Sequence, residues 1–504
     1  MEYAIAVVDI GMTNKKIALY DDKLTQHEAW YNNFPPRMIP SPGGGSLPAH
    51  DLEAMEDWFT RILREGAKKY PLRAIAVTTH GATFVCVGED GKPSLPCIYY
   101  THEPGEDFHR RFYERFGAPE VLQERTGTPY LKGMINTAKG IFFAREVFPE
   151  ALNRSVHLLQ YPQYWGYRFT GKTGAEGTYM GCHSYLWDHP GRCLSPVAES
   201  LGVSAIMPRQ IGNSWDALGT INRDFAAKTG LKEDTLVTMG IHDSNASLLP
   251  HFAKKGEGGF VLNSTGTWCV IMNPVLRYGF APEELGKVVF FNISAFGRPV
   301  KTAIFLGGQE FETWSERIMA IHGRKDIPGY DGELYRSLLR ERDTFLLPEL
   351  VAGSGQFPRS RPRIVEKGRE YPYGALSGEG IPPCLRDYEK AFALLRISLV
   401  MQTLTALERT GLAPGKEVFT EGGFRKDEAY HQLLAAALKD NRVFLTDIAE
   451  ASALGAAMTA KMALTGRRLT ELSGDFETDY HEVTKGEIPE LFAYRESWLS
   501  YTYN

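Results

Sequence analysis

Four short segments of this sequence carry residue types that suit phosphate chemistry, and the first begins at Asp9. It reads Asp9-Ile10-Gly11-Met12-Thr13-Asn14-Lys15-Lys16. Gly11 lets the backbone approach a phosphate closely, Thr13 and Asn14 supply hydrogen-bond donors, and the Lys16 ammonium can neutralise negative charge. The Asp9 carboxylate can hold Mg²⁺ directly or through water. An ordinary hairpin with polar turn residues explains this segment equally well when it is taken alone.

Two further segments offer donors for other parts of a nucleotide. Ser264-Thr265-Gly266-Thr267 is a hydroxyl-rich turn between two strand-like runs. Glu421-Gly422-Gly423-Phe424 follows a strand-like run at 417–420 and precedes a helical pattern that starts near Lys426. A diglycine at a strand-to-helix junction lets a nucleotide lie against the backbone and the helix N-terminus. Turns of both kinds also occur without a ligand, so neither segment identifies a site alone.

The fourth segment, Gly240-Ile241-His242-Asp243-Ser244-Asn245-Ala246, contains the candidate catalytic base. It follows an apolar strand predicted at 236–239. A carboxylate at a strand end can accept the proton of a substrate hydroxyl as that hydroxyl attacks a γ-phosphate. The alternative is that Asp243 only caps the next helix, and local sequence does not separate the two.

Strand-like runs alternate with helical patterns around these segments, which predicts an α/β architecture. A chain of 504 residues is too long for one hydrophobic core, since single cores stop growing at roughly 250 to 300 residues. Two hairpins with hydroxyl and glycine tips, at 4–20 and 259–272, predict two related lobes. We place the lobes at 1–252 and 253–465, and interpret 466–504 as an appended C-terminal segment.

Helical periodicity is clearest late in the chain. The predicted helices span 388–410, 428–439 and 451–464. The last of them starts with the Ala- and Gly-rich run ASALGAAMTA at 451–460, for which we favour close helix packing over ligand contact.

Charge and composition argue against several classes of protein. The formal net charge is −5 and no block of Lys or Arg occurs, so we expect no nucleic-acid partner. The N-terminus lacks a basic start, and no uninterrupted apolar stretch approaches the roughly 20 residues needed to span a bilayer, so we expect a cytoplasmic protein without membrane contact. Six scattered cysteines without zinc-ligand spacing are interpreted as buried reduced thiols.

Taken together, the order and spacing of the four segments resemble the FGGY family of carbohydrate kinases. These are members of the actin and hexokinase superfamily, in which two ribonuclease-H-like lobes close over ATP and a sugar. The resemblance covers nearly the whole chain to about residue 465. It also takes in 126–143, Tyr167-Arg168-Phe169-Thr170-Gly171 and the EASALGAA stretch at 450–457.

Carried over residue by residue, the resemblance implies ATP and Mg²⁺ as cofactors. Asp243 would be the catalytic base, and Asp9 and Asp243 would hold the metal. Asp427 stands where the family usually has an asparagine beside the adenine, which leaves the base contact open. The resemblance assigns the nucleotide to Gly11, Thr13, Asn14, Lys16, Thr265, Gly266, Thr267, Gly308 with its neighbour Gly307, Gly422, Gly423 and Asp427.

The sugar site departs from the family pattern. His242 before Asp243, and Gly266-Thr267-Trp268, resemble the rhamnulokinase and fuculokinase branch. That branch implies a ketose, either a 6-deoxyhexulose such as L-rhamnulose or L-fuculose, or a pentulose. Where those relatives tend to have a glycine, a small residue and an acid after the strand, this chain has His80-Gly81-Ala82-Thr83, and Tyr100 replaces a tryptophan. The resemblance aligns with the sugar cleft His80, Gly81, Tyr100, His102, Glu103 and His242.

Two alternatives to ketose phosphorylation stay open on the sequence. One is a catalytically silent sugar sensor or regulatory protein on the same fold. The other is a kinase of a different small polyol or sugar acid. The expected partner in every case is a small sugar-like molecule, and because homodimers are common in the family, the resemblance also allows a homodimer.

Overall fold

The fold is described from a computed structural model, in which residues 1–448 and 450–502 are described. The strands of the first lobe are β1 (Ala4–Ile10), β2 (Asn14–Asp21), β3 (Gln26–Asn33), β4 (Arg37–Pro40), β5 (Ser46–Ala49), β6 (Leu72–Thr79), β7 (Phe84–Val87), β8 (His157–Gln160), β9 (Ala175–Glu176), β10 (Trp187–Asp188), β11 (Cys193–Leu194), β12 (Ile211–Gly212), β13 (Ala217–Thr220), β14 (Leu236–Thr238) and β15 (Ile241–His242). Its helices are α1 (Leu52–Lys69), α2 (Glu106–Phe116), α3 (Pro119–Thr126), α4 (Thr137–Val147), α5 (Pro149–Asn153), α6 (Tyr161–Thr170), α7 (Gly177–Met180), α8 (Pro196–Ser200), α9 (Arg223–Thr229), α10 (Asp243–Ala246) and α11 (Leu248–Lys255).

The main sheet of the first lobe is built around the predicted hairpin. Its strand order is β13-β14-β6-β1-β2-β3, with β15 also paired to β6. Strand β1 pairs antiparallel with β2 and parallel with β6. The run AIAVVDI in β1 is buried except at Asp9, which is partly exposed. The turn that follows Asp9 and the end of β6 therefore lie at the same edge of the sheet.

The second lobe holds the remaining elements. Its strands are β16 (Phe260–Thr265), β17 (Cys269–Pro274), β18 (Val289–Ile293), β19 (Pro299–Phe305), β20 (Thr344–Leu347), β21 (Arg363–Glu366), β22 (Arg369–Pro372), β23 (Glu417–Gly422), β24 (Arg442–Thr446) and β25 (Tyr480–Glu482). Its helices, together with one that crosses to the first lobe, are α12 (Gly307–His322), α13 (Gly332–Glu341), α14 (Tyr388–Arg409), α15 (Glu428–Ala437), α16 (Ala451–Thr465) and α17 (Glu490–Thr502).

The sheet of the second lobe repeats the pairing of the first. Its order is β18-β19-β17-β16-β23-β24-β25. Strand β16 pairs antiparallel with β17 and parallel with β23, as β1 does with β2 and β6. The repeated arrangement confirms the predicted pair of ribonuclease-H-like lobes, and it places the turns after β1, β16 and β23 where they can face a common cleft.

Helix α16 joins the two lobes, although the sequence placed it within the second. It packs against β1 and β6 of the first lobe. The buried cluster around it also contains Phe260 and Phe419 from the second sheet. Small side chains at Ala453, Ala456 and Ala457 permit this close approach on two sides. Helix α16, which the sequence assigned to the second lobe, therefore contacts both sheets.

The segment 466–504, which we interpreted from the sequence as an appended C-terminal segment, packs into the core of the second lobe. Strand β25 extends the second sheet by pairing with β24. Leu491, Tyr494 and Trp498 of α17 are fully buried, and the Trp498 indole N–H donates to the Leu346 carbonyl oxygen over 2.9 Å. The aromatic residues of the segment supply apolar surface to that core. Residues 503 and 504 lie outside the described residues.

Helix α14 is long and apolar enough to cross a membrane by length and composition alone. Of its most apolar window, 94% is buried inside the protein. The apolar surface of this helix is thus used to pack the second lobe, whose core cluster includes Leu394, Leu395 and Leu399.

The cysteines carry no disulfide. Five of the six are buried, as predicted, whereas Cys193 in β11 is exposed. The Cys182 Sγ atom lies 3.5 Å from Nε2 of His242, the residue before the candidate base.

Candidate active site

The turn between β1 and β2 presents its donors to solvent. Thr13 and Asn14 are exposed at the turn, and a methyl group built on Gly11 would lie 3.0 Å from the Asn14 carbonyl oxygen. Asp9 and Lys16 are cross-strand partners, so their side chains share one face of the sheet. The structure thus brings together every residue that the sequence assigned to the first phosphate segment.

Lys16 is held between two carboxylates. Its Nζ atom donates to Glu450 Oε2 over 2.6 Å and lies 3.8 Å from Asp9 Oδ2. Glu450 also accepts a hydrogen bond of 2.5 Å from the Tyr31 hydroxyl. Because Glu450 precedes α16, these bonds connect the helix directly to strands β2 and β3.

Asp243 opens α10 immediately after β15. Its Oδ1 atom accepts hydrogen bonds from the Ser244 backbone N–H over 2.6 Å and from the Ser244 hydroxyl over 3.2 Å. Burial raises the pKa of Asp243 to about 6. At pH 7.5 the carboxylate is ionised and basic enough to accept a proton from an attacking hydroxyl group.

Asp9 shares this electrostatic environment. Burial raises its pKa to about 6, Lys16 opposes the rise, and the negative charge of Asp243 adds to it. The Ser452 hydroxyl donates to Asp9 Oδ2 over 3.3 Å. The two acids are therefore close enough to repel each other when both are ionised.

A cavity of about 300 Å³ lies between the lobes beside Asp243. Asp243 and Ser244 line it from α10, and Glu450 and Ser452 line it from the start of α16. The second lobe contributes Ser264, Glu421 and Gly422. The candidate base thus faces the same space as the diglycine segment.

The acids suit a magnesium ion. Mg²⁺ is usually held by one or two carboxylates together with substrate phosphates and water. Asp9 and Asp243 supply two carboxylates whose mutual repulsion a divalent cation would relieve. Among the residues that the structure describes, no group of three or more His, Cys, Asp or Glu side chains can hold a metal ion. Phosphate and water oxygens would therefore have to complete the coordination.

Two glycines lie in close contact with the backbone of the turn after β16. A methyl group on Gly308, at the start of α12, would lie 2.0 Å from the Gly266 carbonyl oxygen. A methyl group on Gly422, where φ is 83°, would lie 1.9 Å from the Thr265 carbonyl oxygen. Neither position can hold a larger residue without displacing the turn after β16.

Thr265 fastens that turn to the diglycine segment. Its hydroxyl donates to the Glu421 carbonyl oxygen over 2.5 Å and accepts from the Phe424 N–H over 3.0 Å. Thr265 is buried, whereas Gly266, Thr267 and the diglycine Gly422-Gly423 are exposed. Thr265 therefore shapes the turn, and its exposed neighbours are the groups that can meet a ligand.

The Asp427 carboxylate is hydrogen-bonded to other groups of the protein. Its Oδ1 atom caps α15 by accepting from the Tyr430 N–H over 3.0 Å, and Oδ2 accepts from Arg396 Nε over 2.8 Å. Arg396 is buried and needs a counter-charge, which an asparagine would not provide. Asp427 therefore has a structural role as the counter-charge of Arg396.

Four of the sugar-site candidates gather near Asp243. A methyl group on Gly81 would lie 3.1 Å from His242 Nε2, and the rings of His80 and Tyr100 are 5.1 Å apart. Burial raises the pKa of Tyr100 to about 12, with a further contribution from the charge of Asp243. Burial lowers the pKa of His80 to about 4, so its imidazole is neutral at pH 7.

His102 and Glu103 are engaged elsewhere. Glu103 Oε1 accepts from the Gly105 N–H over 2.9 Å and from His109 Nε2 over 2.8 Å, and Oε2 accepts from the Gly133 N–H over 2.7 Å. The His102 ring packs edge-on against Phe143, with 5.3 Å between centroids. The Glu103 carboxylate therefore fixes the loop that carries Tyr100, and no bond links it to Asp243.

Sequence reasoning did not assign several residues of the site. Glu450 and Ser452 belong to the EASALGAA stretch, so the family pattern carried a signal for them. Lys15 points away from Lys16, as alternation along a strand requires, and its Nζ donates to the Met12 carbonyl oxygen over 2.7 Å. His183 Cδ2 lies 3.6 Å from the position that a methyl group on Gly81 would take, a contact with no signal in the sequence.

Two ribonuclease-H-like lobes, each with a strand-turn-strand hairpin facing the cleft, define a fold of the actin and hexokinase superfamily. The sequence matches the N-terminal domain of the FGGY family of carbohydrate kinases over residues 4–250, and the C-terminal domain, carbohydrate kinase FGGY, over 257–468. The chain belongs to the FGGY family of carbohydrate kinases.

Individual relatives are distant. The chain is 27% identical over 213 residues to L-fuculokinase of Salmonella typhi, which covers 42% of this chain and 44% of the relative. It is 24% identical over 198 residues to rhamnulokinase of Ligilactobacillus salivarius, covering 39% of each. A xylulose kinase of Bacillus subtilis is 27% identical over 244 residues, covering 45% of this chain and 46% of the relative. The matches thus span less than half the length of these relatives.

Solved structures match over the whole chain. A carbohydrate kinase from Novosphingobium aromaticivorans superposes with a TM-score of 0.79 at 24% identity, covering 99% of this chain and 98% of the other. A gluconate kinase from Lactobacillus acidophilus also gives 0.79, at 15% identity, covering 99% and 96%. At these identities the likeness establishes the fold.

Proposed function

We propose that the protein transfers the γ-phosphate of ATP to a hydroxyl group of a small sugar, with Asp243 as the general base. The observation that carries the proposal is the position of Asp243, an acid with a raised pKa at the wall of the interlobe cavity. Membership of a carbohydrate kinase family supports the same reaction.

The reaction would be an in-line displacement. Asp243 would accept the proton of the attacking hydroxyl, and the exposed donors of the turns after β1 and β16 would bind the phosphates. Lys16 would leave its pair with Glu450 to stabilise the charge that develops on the γ-phosphate. Asp9 and Asp243 would hold Mg²⁺, which would supply further charge neutralisation on the phosphate oxygens.

For the sugar we propose a ketose, either a 6-deoxyhexulose such as L-rhamnulose or L-fuculose, or a pentulose. Relatives named L-fuculokinase, rhamnulokinase and xylulose kinase support this class. His80 and His242, which are neutral because burial lowers both pKa values, suit hydrogen bonding to uncharged hydroxyl groups. A polyol or a sugar acid is the alternative, and it corresponds to the gluconate kinase among the structural neighbours.

A second candidate function is a sugar sensor that has lost phosphoryl transfer. The rebuilt sugar segments and the engagement of Asp427 with Arg396 motivate it. The presence of Asp9, Lys16 and Asp243 around one cleft favours the kinase.

An ADP-release assay with Mg²⁺-ATP separates these functions. The panel should contain ketopentoses, ketohexoses, 6-deoxyketoses, polyols and sugar acids. We expect turnover with a ketose that falls by at least about 10³-fold in Asp243→Ala and is retained in Asp224→Ala, a change at an exposed acid of the first lobe. Sugar binding by calorimetry without ADP release would instead support the sensor, and full turnover in Asp243→Asn would refute the assignment of the base.

A further inference from the structure

His183 lies beside residues that were assigned to the sugar, although no motif in the sequence marks it. Its Cδ2 atom is 3.6 Å from the position that a methyl group on Gly81 would take, and Nε2 of His242 is 3.1 Å from the same position. Gly81 follows His80 after β6, and His242 ends β15, which pairs with β6. Three imidazole rings therefore lie around the backbone of Gly81, where a side chain would crowd them.

Two of these rings carry a buried nitrogen that the protein leaves unpaired. His80 Nδ1 donates to the Gly81 carbonyl oxygen over 3.0 Å, but Nε2 of the same ring has no hydrogen-bond partner among the described residues. Nδ1 of His183 is also buried without such a partner. A polar atom in this state has lost its hydrogen bonds to water without replacement, so a ligand that pairs with it gains affinity. His183 thus shares with His80 the feature that suits sugar binding.

The backbone of His183 adopts a conformation that is uncommon for a residue with a side chain. Its φ is 48°, in the left-handed region that glycine occupies without steric cost. The Thr137 N–H donates to the His183 carbonyl oxygen over 2.9 Å, and the Ala138 N–H donates to the Ser184 carbonyl oxygen over 3.0 Å. These N–H groups belong to the first turn of α4 and have no acceptor within that helix. The start of α4 therefore holds His183 in place, and backbone strain of this kind clusters at ligand-binding sites.

The ring of His183 also contacts the second lobe. The His183 and Phe290 rings are tilted by 54°, with 4.5 Å between their centroids. Phe290 lies on β18 and belongs to a small apolar cluster with Leu131 and Val288. His183 is therefore at the boundary between the lobes, where a ligand enclosed by both lobes would meet it.

We propose that His183 is a sugar-binding residue whose imidazole pairs with a hydroxyl group of the substrate. The inference rests on the proposed function and deepens it, because it adds a specificity-determining contact to the sugar site. A hydroxyl group both donates and accepts, so it can pair with a ring nitrogen whether or not that nitrogen carries the proton. The contact therefore requires no particular tautomer, and it disfavours a sugar that lacks this hydroxyl group.

Calorimetry without ATP and steady-state kinetics of His183→Ala test the contact. The probes are L-rhamnulose, L-fuculose and xylulose. For the ketose that binds best, we expect the Kd and the KM to rise at least about tenfold while kcat stays within about threefold, because the lost bond serves the bound substrate and the transition state alike. His189→Ala is the matched control and should leave the Kd unchanged. His189 is also a buried histidine of the first lobe with an unpartnered ring nitrogen, but its ring stacks on Tyr278 at 4.7 Å.

Sugar analogues that lack one hydroxyl group separate a direct contact from an indirect effect. At least one such analogue of the best ketose should bind the wild type about tenfold more weakly than the parent sugar does, and should bind His183→Ala with the same affinity as the wild type. An indirect effect, transmitted through Gly81 or Phe290, would instead weaken the parent sugar and every analogue by the same factor.

The outcomes separate this inference from the proposed function. An unchanged Kd in His183→Ala, an equal loss in His189→Ala, or an equal loss for every analogue would overturn the role of His183 while the kinase stands. If the wild type binds a ketose without releasing ADP, the kinase proposal fails, and the same binding data still decide the role of His183. If the wild type binds none of these ketoses, the contact and the proposed sugar class fail together. His183→Gly carries the test if thermal unfolding shows that His183→Ala does not fold, because glycine adopts a φ of 48° without strain.

Discussion

Gly455 of α16 packs against the backbone of Ala246 in α10 so closely that a methyl group on its Cα would lie 1.9 Å from the Ala246 carbonyl oxygen. Ala246 is three residues from Asp243, and Ser452 on the same helix as Gly455 bonds to Asp9. One helix thus sets the positions of the catalytic and metal-binding candidates relative to each other. Since no side chain fits between the helices, glycine at 455 fixes that geometry.

The first prediction is that Gly455→Ala impairs both stability and catalysis. The added methyl group must push α10 away from α16, which should cost about 1–3 kcal/mol of unfolding free energy and lower kcat by about 10²-fold. Thermal unfolding and the ADP-release assay measure the two effects. Gly474→Ala is the control, because a methyl group there meets no atom within 4 Å. Wild-type values for both quantities in Gly455→Ala would show that the helix contact does not position Asp243.

The second prediction concerns the loss of enzyme activity at low pH. The pKa values of Asp9 and Asp243 are both raised to about 6, so each group gains a proton as pH falls through about 6. A general base and a metal ligand must both be unprotonated to act. The logarithm of kcat/KM should therefore fall below that pH with a slope greater than one per pH unit. In Asp9→Asn the loss of kcat/KM at low pH should have a slope of one per pH unit. Its midpoint should lie at a lower pH, because the charge on Asp9 no longer raises the pKa of Asp243.

A wild-type kcat/KM that falls only near pH 4 would contradict this expectation. It would mean that the free enzyme holds both carboxylates in surroundings as polar as water. Measuring the profile at limiting and at saturating Mg²⁺-ATP separates the free enzyme from its nucleotide complex, in which bound cation should shift the limb to lower pH.

Much of this arrangement is local enough to be predicted from sequence. Alternation along β1 and β2 predicts that Asp9 and Lys16 share a face, and the glycine at 422, whose φ is 83°, marks a backbone conformation that other residues rarely adopt. The strand preceding Asp243 predicts an acid at a sheet edge. These patterns depend on neighbours within a few residues, which is why the positions of these side chains could be predicted before the fold was known.

Other features depend on partners far away in the chain. Glu450 meets Lys16 across 434 positions, and Arg396 meets Asp427 across 31. Neither pairing leaves a periodic signal in the sequence. The crossing of α16 between the sheets and the burial of Trp498 are likewise set by tertiary packing, so local patterns could not reveal them.

The third prediction is that Lys16 acts on the phosphates despite its ion pair. Lys16→Met keeps much of the side-chain volume and removes the charge, so kcat should fall by about 10²-fold and the KM for ATP should rise. Lys301→Met is a matched control, since Lys301 is also largely buried and paired to a carboxylate, with Nζ 2.6 Å from Glu284 Oε1. Equal kinetic effects of the two substitutions would indicate that Lys16 serves only to neutralise Asp9 and Glu450.

The last prediction tests whether Glu103 supports the loop that carries Tyr100 or contacts the sugar directly. Burial acts to raise the pKa of Glu103, but hydrogen bonds from Gly105, Gly133 and His109 lower it below 4.5 overall. A lowered pKa means that ionised Glu103 stabilises the fold above pH 4.5, and that this contribution is lost as pH falls through the folded-state pKa.

Glu103→Gln should therefore reduce the unfolding free energy by about 1 kcal/mol at pH 7, and the difference from wild type should shrink as pH falls below 4.5. Its KM for sugar should rise only a few-fold, because the loop that carries Tyr100 loosens but no contact with the ligand is removed. His80→Ala should raise the same KM by at least about tenfold, because the sugar loses a hydrogen-bonding partner. Glu106→Gln, at an exposed acid in the first turn of α2, is the control. A loss of sugar binding in Glu103→Gln as large as that in His80→Ala, at unchanged stability, would show that the Glu103 carboxylate reaches the sugar after the lobes close.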